Sequence, residues 1–263
     1  MNRHLWFAVN SMIVLIGLLA AWHFGVMLLK VPPYILPGPA AVAAAVVNRF
    51  PALMQSLWLT TEAAAMGLAG SVVAGITIAL VFAQWHWLRR LIFPYSILLQ
   101  TVPIVAIAPL IIMWVGSGVY AVALIAFVIC LPPVIANTTQ GLISVDRNLI
   151  DLFLMHKANR AQILFKLRLP HALPNLFVGL RISAGIAVTA AIIGELFASS
   201  SRVGVGGLGY SITYAYSQLE TDYLFALVVA ATALGFAFFF TVMFLEWYFL
   251  HNWHESSRSD MPD

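Results

Sequence analysis

Residues 146–174 read DRNLIDLFLMHKANRAQILFKLRLPHALP, a polar island in a sequence that otherwise avoids charge. It gathers Asp146, Arg147, Asp151, Lys157, Arg160, Lys166 and Arg168, and long apolar segments flank it on both sides. Asp146 is placed to cap a short helix whose Leu149, Leu152 and Phe153 form one apolar stripe at i, i+3 and i+4. Asn159 with Gln162 has the spacing of a capping box opening a second helix, with Ile163, Leu164 and Leu167 on its buried side. Pro170 and Pro174 then end that helix and start the next apolar segment. Two short helices meeting at an elbow near His156–Asn159, apolar on one side and basic on the other, have the shape of a plug for a socket on another protein.

The flanks say where the island lies. The chain is 62% hydrophobic and 9% charged, against about 25% charged residues in soluble domains, and its mean hydropathy is +0.95. An ordinary globular protein is excluded. Crossing about 30 Å of hydrocarbon takes about 20 apolar residues, and six segments satisfy this: 5–28, 58–83, 91–114, 118–140, 172–198 and 223–250. The first is too long for a signal-peptide core and lacks a small-x-small cleavage site, so it is read as an uncleaved span. Only Gly116-Ser117-Gly118 separates the third from the fourth, which makes them a helical hairpin. Pro103, Pro109, Pro132 and Pro133 should kink or break its helices, and such breaks are tolerated in lipid only where neighbouring protein or a water-filled path satisfies the freed carbonyls. That places the hairpin inside a bundle.

With the N-terminus inside, Arg3, Arg89, Arg90, Arg147, Lys157, Arg160, Lys166, Arg168 and Arg258 are cytoplasmic. Lys30, Arg49 and Arg202 are outside, and Arg181 lies near the inner end of the fifth span. Nine basic residues against three orient both termini and the island to the cytoplasm. The net charge of +3 is explained by this bias, with no nucleic-acid partner. Pro32-Pro33 and Pro37-Gly38-Pro39 punctuate an outer loop, followed by an alanine-rich, interfacial helix of about ten residues. Residues 1–55 thus form an N-terminal span with an outer helix, 56–250 the main transmembrane domain and 251–263 a cytoplasmic tail. Ser71-x-x-x-Gly75 in the second span allows close helix approach, within one subunit or across a dimer.

Chemistry-bearing motifs are sparse. Gly204-x-Gly206-x-x-Gly209 matches a dinucleotide fingerprint in letters alone, since it follows a span rather than a strand; it reads as an outer turn before a short helix, Tyr210 to Gln218. No Gly-x4-Gly-Lys-[Ser/Thr] occurs, so ATP has no P-loop here. The histidines are scattered, with only His251 and His254 three apart, and no metal site is expected. Cys130, the single cysteine, reads as a small core residue. Glu195 is an intramembrane carboxylate costing about 2.5–3.5 kcal/mol on insertion scales, so it faces either the translocation path or a polar partner in the same subunit. Gln100, Thr101 and Pro103, beside the kinks, are the other path candidates.

The island also resembles the cytoplasmic loop of permease subunits in binding-protein-dependent ABC importers, E-A-A-x3-G-x9-I-x-L-P. Asp151-Leu152-Phe153 stands at E-A-A, Lys157 at the glycine and Leu167-x-Leu169-Pro170 at the end. Outside it, the chain is similar to the branch serving sulfonates, taurine, nitrate and pyrimidine precursors. The matching pieces are Leu36-Pro37-Gly38-Pro39, Gln100-Thr101-Val102-Pro103, Ala108-Pro109-Leu110, Leu173-Pro174, Gly179-Leu180-Arg181, Gly194-Glu195 and Gly207-Leu208-Gly209-Tyr210. The resemblance implies an all-α type I importer fold in a bacterial inner membrane, with two permease copies. It implies cytoplasmic ATPase subunits holding ATP and Mg²⁺, and a periplasmic or lipid-anchored binding protein that delivers a small polar solute. The coupling contacts would fall on Asp151, Leu152, Phe153, His156, Lys157, Ala158, Asn159 and Arg160. This chain would do no covalent chemistry. Lys157 is the main departure: if the usual glycine has φ > 0, a lysine there costs about 1 kcal/mol. An ion-driven secondary transporter or channel is the alternative, though it calls for more intramembrane charges than Glu62 and Glu195; an intramembrane enzyme would need a catalytic cluster within the spans, and none is found.

Overall fold

The computed structural model describes residues 3–198 and 206–251. Arg202, Gly204, His254, Arg258 and the tail beyond His251 lie outside the described residues. The described residues form helices joined by short turns. These are α1 (Arg3–Leu28), α2 (Pro39–Asn48), α3 (Phe50–Gln84), α4 (His86–Leu98), α5 (Ile104–Val115), α6 (Val119–Ile143), α7 (Arg147–Met155), α8 (Arg160–Ile163), α9 (Leu169–Phe197), α10 (Leu208–Ser217) and α11 (Thr221–Leu250). Helices α3, α6, α9 and α11 are each long and apolar enough to span a membrane, with α9 reached through α8 as one run from Arg160.

The third expected span is not one helix. Helices α4 and α5 meet at a 101° bend, made by a 3-10 turn over Leu99–Thr101 and by Pro103 at the α5 N-terminus. Proline cannot donate the backbone bond that would continue α4, and its ring drives Val102 to an extended conformation, with ψ 124°. The other hairpin prolines behave differently. Pro109 lies inside α5, and Pro132 and Pro133 inside α6, without ending either helix. The hairpin is also not wholly interior: α6 is the central helix, whereas α5 exposes Val105, Met113 and Trp114. The glycine turn between them is as expected, with Gly116 and Gly118 at φ 91° and 136°, values that only glycine adopts without strain.

Between spans there is no hydrophobic drive to associate, because lipid tails are as apolar as leucine; close packing and hydrogen bonds do the work. Here α6 lies against α3 on one side and α9 on the other. A Cβ added at Gly67 of α3 would sit 2.6 Å from the Ala123 carbonyl oxygen, and one at Gly75 2.7 Å from Val134. Ser71 and Gly75 therefore serve packing inside one subunit. On the α9 side, a Cβ at Gly141 or Gly179 would lie 2.8 Å from Asn175 or 2.9 Å from the Pro133 carbonyl oxygen. Ser183 Oγ donates to the Cys130 carbonyl at 2.9 Å, and the Cys130 thiol points back at the Ser183 carbonyl at 3.4 Å. Cys130 is fully buried, as its apolar context predicts. Arg181 of α9 pairs with Glu246 of α11 at 3.2 Å, a partner the sequence reading did not find.

Helix α2 is ten residues long but is more than interfacial, because Val42 and Ala45 enter the core with Tyr223 and Leu227 of α11. The second short helix of the island also differs from expectation. Pro170 does not end it. A π-helical turn over Leu164–Arg168 carries α8 into α9, with the Leu169 N–H reaching back to the Leu164 carbonyl. The wider turn admits Pro170 at the start of α9 without stopping the run.

Candidate functional site

The island forms the elbow that its cap residues foretell. Asp146 Oδ1 accepts from the Asn148 N–H at 2.9 Å, which opens α7. At its other end, the Lys157 N–H bonds the Leu154 carbonyl at 2.9 Å and the Ala158 N–H the Phe153 carbonyl at 3.0 Å. This crossed pair is a Schellman motif, which needs its C′ residue in the left-handed region. Lys157 occupies that place at φ 56°. His156 Nδ1 adds a contact of 2.9 Å to the Leu152 carbonyl, the ring nitrogen donating. Asn159 and Gln162 then form the capping box, both bonds at 2.8 Å.

One face of the elbow is seated and the other is free. Ile163 and Leu164 are buried, and Leu164 packs with Ala79 of α3, Leu142 of α6 and Ala172 of α9. Arg168 Nη1 donates to the Ala83 carbonyl at 2.8 Å, satisfying one of the carbonyls left open at the end of α3. Outward, Asp151, Leu152, His156, Lys157, Asn159 and Arg160 are exposed, while Phe153 and Ala158 are half-buried. Leu154 and Met155 are exposed as well, Met155 to 80%. The motif did not single out these two, but their position on a charged, exposed helix marks them. The apolar surface of α7 is thus wider than one stripe, and no residue of α7 is buried.

At the opposite end, Glu195 is enclosed by α3, α9 and α10. Thr60 Oγ1 lies 2.8 and 2.9 Å from its two oxygens and donates to the carboxylate. The Gly209 N–H donates to Oε2 at 2.8 Å, and Thr60 Oγ1 itself accepts from the Leu208 N–H at 2.8 Å. A carboxylate and a hydroxyl therefore take up free amides in the first turn of α10, where the helix dipole also favours negative charge. The glycines make room: a Cβ at Gly207 would sit 2.0 Å from Glu195 Oε1, and one at Gly209 2.3 Å from the Ile192 carbonyl oxygen. Ser56 and Ser211 meet at 2.7 Å and add a second tie between α3 and α10.

Beyond this latch, Arg49 and Glu220 form a two-pronged ion pair between the start of α3 and the start of α11. The Glu220 hydrogen bond holds the Arg49 guanidinium above its ordinary pKa, and the guanidinium stacks 4.8 Å from the Tyr223 ring. Thr221 Oγ1 donates to the Tyr34 carbonyl at 2.9 Å. Thr60, Arg49 and Glu220 are distant in sequence and share no motif, so only the folded chain reveals them. Gln100, Thr101 and Pro103 lie together on the exposed bend between α4 and α5, with Thr101 Oγ1 bonded to the Leu98 carbonyl at 2.8 Å. They are separate from the enclosure around Glu195.

The chain is thus a helical membrane domain with a capped elbow between two of its spans. Residues 71–251 match the family described as binding-protein-dependent transport system inner membrane component, and the chain belongs to that family. It is 35% identical over 231 residues to the riboflavin transport system permease protein RibX of Chloroflexus aurantiacus, covering 86% of this chain and 83% of that protein. It is 28% identical to the formylaminopyrimidine transport permease protein ThiX of Halalkalibacterium halodurans, over 91% and 94% of the two chains. The taurine transport system permease protein TauC of Escherichia coli is 26% identical over 90% and 86%. Among solved structures, an inward-facing form of the MetNI methionine ABC transporter superposes with a TM-score of 0.63 at 20% identity, covering 76% of this chain and 96% of that one. The likeness shows the type I importer fold. The chain is a multi-pass permease subunit of an ABC importer.

Proposed function

We propose that two copies of this chain form a pathway for a small polar solute, and that the α7–α8 elbow docks each copy onto a cytoplasmic ATPase subunit that binds ATP and Mg²⁺. The carrying observation is the elbow itself: exposed Leu152, Leu154 and Met155 on α7, a helix capped at both ends, with Leu164 beyond α8 seating the elbow on α3, α6 and α9. Exposed apolar side chains on a mount joined to three spans suit a part that receives force and passes it on. Asp151, Leu152, Phe153 and His156 through Arg160 form the contact. A periplasmic or lipid-anchored binding protein delivers the solute to the outer face, where α10 lies. Both termini are cytoplasmic, and residues 56–250 form the translocating domain.

Relatives named for riboflavin, formylaminopyrimidine, aliphatic sulfonates, taurine and bicarbonate support a small polar solute, of sulfonate, taurine, nitrate or pyrimidine-precursor type. Glu195, Gln100, Thr101 and Pro103 remain the path candidates, with Glu195 acting through the position it gives α10. Co-purification with the cognate ATPase tests the coupling assignment. The pair Leu152→Asp and Met155→Asp should abolish recovery of the ATPase while membrane insertion is retained; unchanged recovery would overturn it. Measuring which solutes the cognate binding protein retains tests the solute class.

A further inference from the structure

We propose that the cavity between the inner end of α3 and the elbow is a binding site for a phosphate ester, filled by the headgroup of an anionic phospholipid from the surrounding bilayer. The cavity has a volume of about 210 Å³. That is room for a phosphate group and its first carbons. Its polar lining comes from Gln84, Arg160 and Arg168, its apolar lining from residues that include Ile150, Leu154 and Leu164, and no carboxylate lines it.

The charges point to an anion. Among the described residues the ion pairs are Arg49–Glu220 and Arg181–Glu246, so Arg160 and Arg168 are uncompensated. Arg168 is held in place by the Ala83 carbonyl, yet its Nε is buried without an acceptor. Clustered guanidinium groups repel one another when empty and become a clamp around a phosphate, whose geometry matches their donors. The carbonyl end of α3 would oppose an anion, and the Arg168 contact takes up one of its open carbonyls, that of Ala83.

The surroundings favour a lipid as the source. The cavity lies where the 35-residue α3 ends, on the side that the basic residues assign to the cytoplasm. Trp85, Trp87, Leu91 and Phe165 are exposed around this level, and aromatic residues collect at the membrane–water boundary. Basic pockets at this depth hold anionic headgroups, and the apolar wall suits the glycerol shoulder of such a lipid.

Native mass spectrometry of the full chain, released from nanodiscs of equimolar phosphatidylglycerol and phosphatidylcholine, tests this. The chain should retain phosphatidylglycerol about fivefold or more over phosphatidylcholine, the ratio expected for about one effective Arg–headgroup contact. Arg160→Gln should lose that preference, as should Arg168→Gln; the first avoids the Ala83 contact and so reads out even if the second fails to fold. Arg147→Gln removes the same charge from a residue outside the cavity and should leave the preference intact. Equal retention of the two lipids, or an unchanged preference in Arg160→Gln, overturns the proposal. If inorganic phosphate stabilises the delipidated chain and no lipid preference exists, the site takes a soluble phosphate and the lipid assignment fails. Arg160 is also one of the ATPase-contact residues proposed above, so the measurement is made on the chain without its ATPase, where a lost lipid preference reports on the cavity alone.

Discussion

Lys157 sits at φ 56° because the chain must reverse there to close the Schellman motif, and a lysine in that region is strained by about 1 kcal/mol relative to glycine. Lys157→Gly should therefore slow amide exchange at residues 157 and 158 several-fold, read by hydrogen–deuterium exchange; faster exchange would show that the lysine stabilises the turn. The same device recurs at Leu219, at φ 59°, where the Leu219 and Glu220 amides close onto Tyr216 and Ala215. Gly209 is the opposite case. Its added methyl would meet the Ile192 carbonyl oxygen at 2.3 Å, so Gly209→Ala forces α10 away from Glu195. A loss of about 1–3 kcal/mol is expected, as for overpacked sites, visible as a lowered melting temperature in detergent.

At the scale of elements, cap chemistry was legible and continuity was not. Asp146, Asn159 and Gln162 announced the two short helices because a cap is a local hydrogen bond between residues two or three apart. Pro170 misled because a proline can be absorbed by a wider turn, and whether it is depends on what packs outside it. Pro103 breaks its helix on an exposed bend, whereas Pro132 and Pro133 lie fully inside the packed α3–α6–α9 core; sequence gives the same letter in each setting. The latch around Glu195 was half legible. Glu195 stood out as an expensive charge, but Thr60 and the α10 amides that receive it come from other helices. Thr60→Val keeps the shape and removes the hydroxyl that links Glu195 to the Leu208 amide. It should free the first turn of α10, seen as faster exchange at residues 208–211. Arg49→Gln should matter less. The Arg49 side chain is 42% exposed, and exposed ion pairs contribute about 0–1 kcal/mol.

For the whole molecule, the elbow and the latch are joined by the packing of α3, α6 and α9. Helix α9 carries Glu195 near one end and continues unbroken into the elbow at the other, a run of 38 residues from Arg160 to Phe197. At 1.5 Å per residue that run is about 57 Å long, more than the thickness of the hydrocarbon core. The elbow and Glu195 therefore lie on one continuous run, and Gly67, Gly75, Gly141 and Gly179 set α3 and α9 in backbone-close contact with α6. If this packing transmits motion of the elbow, loosening it in mid-membrane should uncouple the two faces without touching either. Gly179→Ala places a methyl 2.9 Å from the Pro133 carbonyl oxygen and wedges α9 from α6. With the cognate ATPase bound, ATP hydrolysis should continue while solute uptake falls by about tenfold or more, the effect of ~1.4 kcal/mol lost from coupling. Gly185 has open space at its Cβ position, so Gly185→Ala in the same helix should leave uptake intact. If both variants import normally, force does not travel through the α6–α9 contact; if both fail, residue size along α9 matters for a reason other than that contact.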